Sequence, residues 1–414
     1  MIKKDNKSNV MFVSNDLGYG EIKADFDGVA VKQPSVYKEI FSGQDWEDIN
    51  LDNDSEVSSA IANLLNNLDV SIDDGRYLVG NAAMNSLDDT TTMQMDSPIG
   101  KAKGNAALIL PLAYIAGRAI QEKYQDTDEE FDMDDVIPVK VFLTTALPIT
   151  EAGSKDNDQR PDYINRFTQK PFIVTVHSLG EDIVVSVKFE KVVVLKEGLI
   201  ATSTAIQHGD SKLIKYLVSE IKKDYPDRAD DAENLILNTQ NYISVDIGQG
   251  TTDMALFYNG HVNGNSYSIK EGFGNIINEA FNSFPDASIK NVENFVKLWQ
   301  ADENELQPNQ IKTKNEIDRA IADRSLALQK RIITGITEFV NKNATTDVIF
   351  LFGGGSIPMV ERYGLKERIQ KRIADLNTSA AVVVWAGKEY SQNLNEIALK
   401  TVSDYMRDHR KQSK

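Results

Sequence analysis

The sequence contains no cysteine. Disulfide staples and thiolate chemistry are excluded with it, and cysteine usage leaves the compartment open. Histidine is nearly as scarce: His177, His208, His261 and His409 lie scattered, with no metal-ligand spacing among them. Long hydrophobic runs are also missing. No stretch approaches the roughly 20 apolar residues of a membrane span, and the polar start, residues 1–9, offers no apolar signal core. The expectation is a cytoplasmic protein without a membrane partner. Positive charge is in deficit, 45 Lys and Arg against 62 Asp and Glu, for a formal net charge of −17 and a pI near 4.8. That argues against direct binding to nucleic acid or to anionic lipid. No serine-nucleophile motif, paired-carboxylate glycosidase pattern or short-period repeat stands out.

What is present is a chain of 414 residues with an ordinary 41% hydrophobic and 26% charged content, long enough for two domains or one bilobed molecule. Two stretches in opposite halves nearly repeat each other: Asp16-Leu-Gly-Tyr-Gly-Glu-Ile-Lys23 and Asp246-Ile-Gly-Gln-Gly-Thr-Thr-Asp253. An apolar run precedes each, residues 10–13 and 242–245, so each reads as a buried strand entering a glycine-rich hairpin. Glycine lets backbone N–H groups approach a phosphate with no side chain in the way. A carboxylate at a strand end suits water-mediated binding of Mg²⁺, which prefers oxygen ligands and keeps much of its hydration shell. Two such turns with one internal spacing imply two related subdomains closing on one nucleotide.

The rest of the chain alternates strands and helices. Residues 31–96 read as a small irregular, acidic insertion on the first lobe, with Gly43, Asp52 and a short strand at 77–80. A helix is expected at about 105–123, too apolar to be exposed on all sides, with Pro111 predicting a kink. An acidic loop, 124–135, precedes a buried strand at 139–145. Strands follow at 172–176, 183–189 and 192–195, with a hairpin turn at 179–182. A helix at about 201–223 and an acidic loop at 224–233 lead to the second glycine hairpin. Asn259-Gly260 signals a further hairpin before a strand at 262–269. Helices are expected at about 275–281, 289–300 and 317–343, strands at 348–352 and 381–385, and a last helix at about 391–409.

Several residues are candidates for chemistry. Asp16 and Asp246 are the magnesium-side carboxylates, against the plainer reading of an Asp that caps its own turn. Gly18, Tyr19 and Gly20 form the first turn; Gly248, Gln249, Gly250, Thr251 and Thr252 form the second. Lys23, on the returning arm, is placed to neutralise a phosphate as a point charge, or else to pair with a neighbouring acid. Gly353-Gly-Gly-Ser356 follows an apolar strand, and Gly353, Gly354, Gly355 and Ser356 suggest backbone passing close to a flat purine or ribose. Gly272 and Gly274 open a helix whose N-terminus faces the nucleotide, unless they merely form a loop. Phosphoryl transfer to water needs positioning, charge neutralisation and one group to orient the water. Glu197, at a strand end before Gly198, and Glu151, after Pro148, both suit that task, and spacing alone does not choose between them.

Taken together, these segments resemble the superfamily of actin, the heat-shock chaperone ATPases and the sugar kinases. Its marks are a first phosphate loop (16–23), a second (246–253) and an adenosine loop (352–356). Within it, the chain is most similar to the ParM-type actin-like proteins of plasmid segregation. The supporting segments are Phe142-Leu-Thr-Thr-Ala-Leu-Pro-Ile-Thr-Glu151, the polar stretch Asp156-Asn-Asp-Gln159, Phe189-Glu-Lys-Val-Val-Val-Leu-Lys-Glu-Gly198 and Val348-Ile-Phe-Leu-Phe-Gly-Gly-Gly355. The resemblance implies an α/β, two-lobed actin-like (ribonuclease H-like) fold with a nucleotide cleft between the lobes. The first lobe would comprise residues 1–198 plus a terminal helix at about 387–414, and the second residues 199–386. It implies ATP or GTP with Mg²⁺, held through water by Asp16 and Asp246, with Lys23 on phosphate. It also favours Glu197, with Asp246, as the catalytic pair. Tyr19 departs from the pattern, standing where a small or hydroxyl residue often touches phosphate. The stretch at about 201–233 is longer than in the shortest members.

The function expected on this resemblance is a nucleotide-dependent, filament-forming ATPase whose partner is itself, and whose hydrolysis triggers depolymerisation. It would segregate plasmid or phage DNA through a small DNA-binding adaptor protein, which fits an acidic chain with no direct nucleic-acid contact. The alternative is a small-molecule kinase of the same superfamily, which needs a catalytic Asp and an acceptor pocket not identifiable in the sequence. The chain stops without the β-domain of the chaperones, and a scaffold with a purely structural nucleotide is a further alternative.

Overall fold

The computed structural model describes residues 9–41, 53–86, 91–92, 99–126, 132, 135–154, 157–209, 211–285, 288–342, 345–376 and 380–412. Gly43, Asp52 and other parts of the expected insertion lie outside them, as do much of the acidic run 124–135, Asp156 and Asn343. The chain divides into two compact units. One comprises residues 1–147, 154–196 and 399–414, the other residues 148–153 and 197–398.

The first unit is built on a ten-stranded sheet. In spatial order its strands are Val29–Pro34, Glu21–Phe26, Asn9–Leu17, Ile137–Leu147, Ile183–Lys196, Phe172–Val176, Asp69–Ile72, Gly75–Val79, Val36–Glu39 and Thr91–Thr92. Asn9–Leu17 and Ile183–Lys196 pair in parallel with the central strand Ile137–Leu147. Strands placed centrally in this way read as near-continuous apolar runs because both faces are covered. The covering helix, Ala106–Gln125, is buried almost all round, from Ala106 to Gln121. It continues through Pro111, whose missing N–H leaves the Ala107 carbonyl without its helical donor. Tyr163, itself buried, supplies a substitute: its hydroxyl donates to that carbonyl at 3.3 Å.

The second unit carries a six-stranded sheet. Tyr242–Ile247, Val348–Phe352 and Val382–Trp385 run parallel, Thr252–Tyr258 returns antiparallel to the first of them, and His261–Val262 and Tyr267–Ile269 complete it. Its core joins Ile243, Val245 and Leu351 of the sheet to Ile276, Phe295 and Ile332 of the helices. Asn259 and Gly260, both at positive φ, close the hairpin from Tyr258 to His261 as their dipeptide predicts.

Several elements differ from the sequence-based expectation. The strands expected at 183–189 and 192–195 are one strand, Ile183–Lys196, with a bulge at Glu190. Buried positions change parity there, from Val185, Val187 and Phe189 to Val192 and Val194. An inserted residue flips the inward set, so the alternation looks like the end of one strand and the start of another. The helix expected at about 201–223 is split into a π-helical turn, Ala201–Ile206, and an α-helix, Ser211–Asp224. Thr202 and Ser203 turn their hydroxyls back onto the Leu199 carbonyl, at 3.1 and 3.0 Å, the local competition that loosens a helix. The supposed acidic loop at 224–233 contains a 3₁₀ turn, Pro226–Arg228, and the start of the helix Ala232–Leu237. The strand expected at 262–269 is interrupted by the turn at Asn263, whose carbonyl accepts from the Ser266 N–H and hydroxyl. The long helix begins at Pro308, earlier than expected, and the last helix divides into Gly387–Ser391 and Leu394–Gln412.

Candidate functional site

In the first unit the glycine hairpin forms as its sequence requires. Asp16 lies directly across from Lys23, and Leu17 from Ile22, so the turn consists of Gly18, Tyr19 and Gly20. The Gly18 N–H donates to the Glu21 carbonyl at 3.0 Å, and the Gly20 carbonyl accepts from Ser35 N–H at 3.0 Å. Directly opposed residues of an antiparallel pair project to one face, so Asp16 and Lys23 share a face. Lys23 is buried, while Asp16 and Tyr19 are half-buried. Lys32, next across the sheet from Lys23, is taken up by Glu21 at 3.1 Å.

The second unit assembles more. Asp246 closes its strand directly opposite Asp253, and both carboxylates are buried. The turn between them is tied by the Gly248 N–H, which donates to the Thr251 carbonyl at 2.9 Å. The helix Phe273–Asn282 docks on this turn: Phe273 and Gly274 N–H donate to the Gly248 and Gln249 carbonyls at 2.9 and 2.8 Å. Two of the first donors of that helix therefore hold the turn itself. A Cβ on Gly272 would stand 2.5 Å from the Gly248 carbonyl oxygen and one on Gly274 2.3 Å from Gln249 Cγ, which is why glycine occupies both. Thr252 is fully buried and its hydroxyl donates to the Glu271 carbonyl at 2.9 Å, an internal brace.

The run from Gly353 to Ser356 packs over the same hairpin. Gly353 has φ +87°, and a Cβ there would come 2.3 Å from Asp246 Oδ1. Gly355 N–H donates to the Ile247 carbonyl at 2.7 Å, and its Cβ position is 2.8 Å from Phe273 Cβ. Protein-on-protein closeness thus accounts for these two glycines. Gly354 alone meets nothing nearer than Gln392 Cγ, at 3.5 Å. Ser356 closes the turn, its buried hydroxyl donating to the Gly353 carbonyl at 2.7 Å and accepting from Trp385 Nε1 at 3.0 Å.

Glu197 stands at the start of a tight turn in which Leu199 N–H returns to the Glu197 carbonyl at 2.8 Å. Gly198, at φ +70°, lies with its Cβ position 3.4 Å from Asp246 Cβ and 3.3 Å from Asp253 Cβ. Ser244 Oγ fixes this turn by donating to the Gly198 carbonyl at 2.8 Å. Glu151 is buried in the short helix Ile149–Ala152, whose Ile149 N–H donates to Asp253 Oδ1 at 3.3 Å. Both glutamates named from the sequence are therefore carried by segments attached to the Asp246–Asp253 hairpin.

Two members of this cluster escaped the sequence reading. Asp253 also accepts from Thr251 Oγ1 at 3.2 Å and from the Ser268 hydroxyl. The signal for it was available: Asp253 follows Asp246 at the spacing with which Lys23 follows Asp16. Asn395 donates from Nδ2 to Asp246 Oδ2 at 2.8 Å and accepts Gly198 N–H at 3.3 Å. It lies 149 residues from Asp246, inside no motif.

The residues fit Mg²⁺ in one mode. Among the described residues no cluster of three or more His, Cys, Asp or Glu could cage an ion. A single strand-end carboxylate beside a phosphate-type turn instead matches an ion that keeps its waters and takes its remaining oxygens from phosphate. Among the described residues no helix is long and apolar enough to cross a membrane.

Residues 14–199 match the family model of the actin-like proteins N-terminal domain. The crystal structure of actin-like protein Alp7A superposes with a TM-score of 0.62 at 16% identity, covering 98% of each chain. Ta0583, an archaeal actin homologue, gives a TM-score of 0.58 at 15% identity, over 96% of this chain and 99% of its own. ParM of Bacillus thuringiensis, solved with AMPPNP, gives 0.56 at 15% identity, over 97% and 100%. A search of curated proteins finds no significant match. The mixed α/β chain has the actin-like fold, and residues 14–199 are similar to the N-terminal domain of the actin-like proteins.

Proposed function

We propose, on the premise of that actin-like, ParM-like fold, that the protein is a Mg²⁺-dependent nucleoside triphosphatase that polymerises with itself into filaments. The observation that carries the reading is the packing of three glycine-bearing turns, at 248–251, 272–274 and 353–355, about the Asp246–Asp253 hairpin, with Gly353 and Gly198 laid against Asp246 itself. A bare-backbone turn next to a buried carboxylate and a strand-end glutamate is chemistry for a phosphate, its counter-ion and a water.

In this reading the N–H groups of Gln249, Gly250 and Thr251 meet phosphate oxygens. Asp246 would hold the metal through its waters, and Asp16 would do the same from its own hairpin. Lys23 places a compact positive charge on phosphate. Glu197 accepts a hydrogen bond from the attacking water and aims it. Bound Mg²⁺ supplies neutralisation of the β- and γ-phosphate charge. Gly354, open toward its surroundings, offers backbone to the base or ribose. ATP is the expected nucleotide, with GTP as the competitor.

Filament formation is supported by likeness to actin-like protein Alp7A and to ParM. A net charge of −17 suits a filament that reaches DNA only through a basic adaptor protein, with plasmid or phage DNA as the cargo. Right-angle light scattering with Mg²⁺ and ATP, GTP, AMPPNP or ADP, with phosphate release in parallel, tests this. The expected result is a rise that decays as phosphate appears and persists with AMPPNP. A flat trace with turnover that a small acceptor accelerates would overturn it in favour of a kinase.

A further inference from the structure

Asn395 sits between two groups of opposite need. Its Nδ2 donates to Asp246 Oδ2 at 2.8 Å, and its Oδ1 accepts the Gly198 N–H at 3.3 Å. A carboxylate only accepts and an N–H only donates, so one setting of the amide alone satisfies both. Aspartate here would set carboxylate against carboxylate, leucine would remove both hydrogen bonds, and glutamine would overshoot by a methylene.

The residue is held from both sides. It lies in the first turn of Leu394–Gln412, where Leu394 and Ala398 are buried. Just before it, the Ser391 carbonyl accepts Gly353 N–H at 2.9 Å. The other oxygen of Asp246, Oδ1, is on the side of Gly353, where the missing Cβ keeps the approach clear. The amide therefore sets which oxygen of Asp246 is held and which faces the glycine turn. It also registers the Glu197–Gly198 turn against the same carboxylate.

We propose that Asn395 is a positioning residue for the nucleotide chemistry, orienting Asp246 toward the metal's waters and locking the Glu197 turn to it. This rests on the function proposed above. Supporting side chains that orient a metal-side carboxylate characteristically influence metal affinity or activity by about 10–100-fold.

The test titrates phosphate release from ATP by the full chain against MgCl₂, with ATP affinity in EDTA measured by calorimetry and folding by thermal melt. Asn395→Ala is expected to raise the half-saturating Mg²⁺ about tenfold while ATP affinity in EDTA stays within about twofold. Asn395→Asp keeps the acceptor for Gly198 N–H but sets a second carboxylate against Asp246; it is expected to displace the Mg²⁺ half-point by at least a similar factor. Lowered melting temperatures with an unmoved Mg²⁺ half-point in both variants would reduce Asn395 to a structural brace and overturn the proposal. A wild-type protein whose turnover ignores Mg²⁺ would instead overturn the function beneath it, and the proposal with it.

Discussion

Asp253 stands directly across the second hairpin from Asp246, in the place Lys23 takes opposite Asp16 in the first. The two carboxylates of the second hairpin nevertheless have different work. Asp253 receives Ile149 N–H, Thr251 Oγ1 and the Ser268 hydroxyl, whereas Asp246 receives Asn395 Nδ2. Asp253→Ala is expected to destabilise by about 3 kcal/mol, because it strands buried donors. Asp246→Ala is expected to keep most of the stability and lose Mg²⁺-dependent turnover. Thermal melts and phosphate release on the two variants separate these roles; equal losses of stability would contradict the division.

Lys23 provides a second test. It is buried on the face it shares with Asp16, flanked across the sheet by Lys32. Lys23→Met removes a charge and keeps the length and apolar stem. If that charge meets phosphate, ATP affinity measured by calorimetry falls at least about tenfold, with Lys23→Arg failing to restore it because a planar fork does not replace a compact ammonium. Unchanged affinity in Lys23→Met would return the residue to a structural role.

The two glutamates are separable by turnover. Glu197→Gln keeps size and hydrogen bonding but lowers basicity, so phosphate release is expected to fall about 100-fold or more while AMPPNP-dependent scattering is retained. Glu151→Gln is expected to stay within about threefold. The reverse outcome would move the water-positioning role to the helix Ile149–Ala152.

Much of the hairpin geometry was legible because it is local. An Asp-x-Gly-x-Gly turn between apolar runs carries strand, turn and carboxylate in eight residues, and the strand Val348–Phe352 carries its own glycine turn. What failed depended on partners distant in sequence or on geometry that disguises itself. The bulge at Glu190 mimics a strand end, since it reverses inside and outside without breaking the strand. The first turns after Pro308 are polar and exposed, so no apolar period announces the helix there. Asn395 is defined only by a contact made across 149 residues of sequence. The glycines at 353 and 355 were noticed for a ligand, yet their neighbours within the protein already require them.

Tyr163 and Pro111 form a pair that no hydropathy pattern reveals. Pro111 deprives the Ala107 carbonyl of its donor, and Tyr163 replaces it at 3.3 Å. Tyr163→Phe is expected to cost about 1 kcal/mol in urea unfolding by leaving a buried carbonyl unmatched. In a Pro111→Ala background the restored N–H removes most of that cost, so the double-mutant cycle shows coupling near 1 kcal/mol. Additive losses would mean the hydroxyl and the proline act independently.

Lys366 carries the pH dependence that the charge pattern supports. It is buried between Glu220, at 2.9 Å, and Asp224, at 2.7 Å, joining the helices Ser211–Asp224 and Leu365–Asp375. Burial by itself lowers an ammonium, but the hydrogen bonds it donates to Asp224 and Glu220 outweigh that, and its pKa is raised above the ordinary 10.5. A raised ammonium favours the folded state at every pH below its unfolded value, and that contribution disappears as pH climbs through the folded one. Lys366→Met is therefore expected to lower stability by about 2 kcal/mol at neutral pH, through two carboxylates left facing each other. The gap between wild type and variant should then narrow above about pH 10.5, where the lysine of the unfolded chain begins to lose its proton while the folded one still keeps it. Chemical denaturation of both proteins at pH 7, 9 and 11 reads it, and a gap that widened with pH would show that the lysine is held neutral rather than charged.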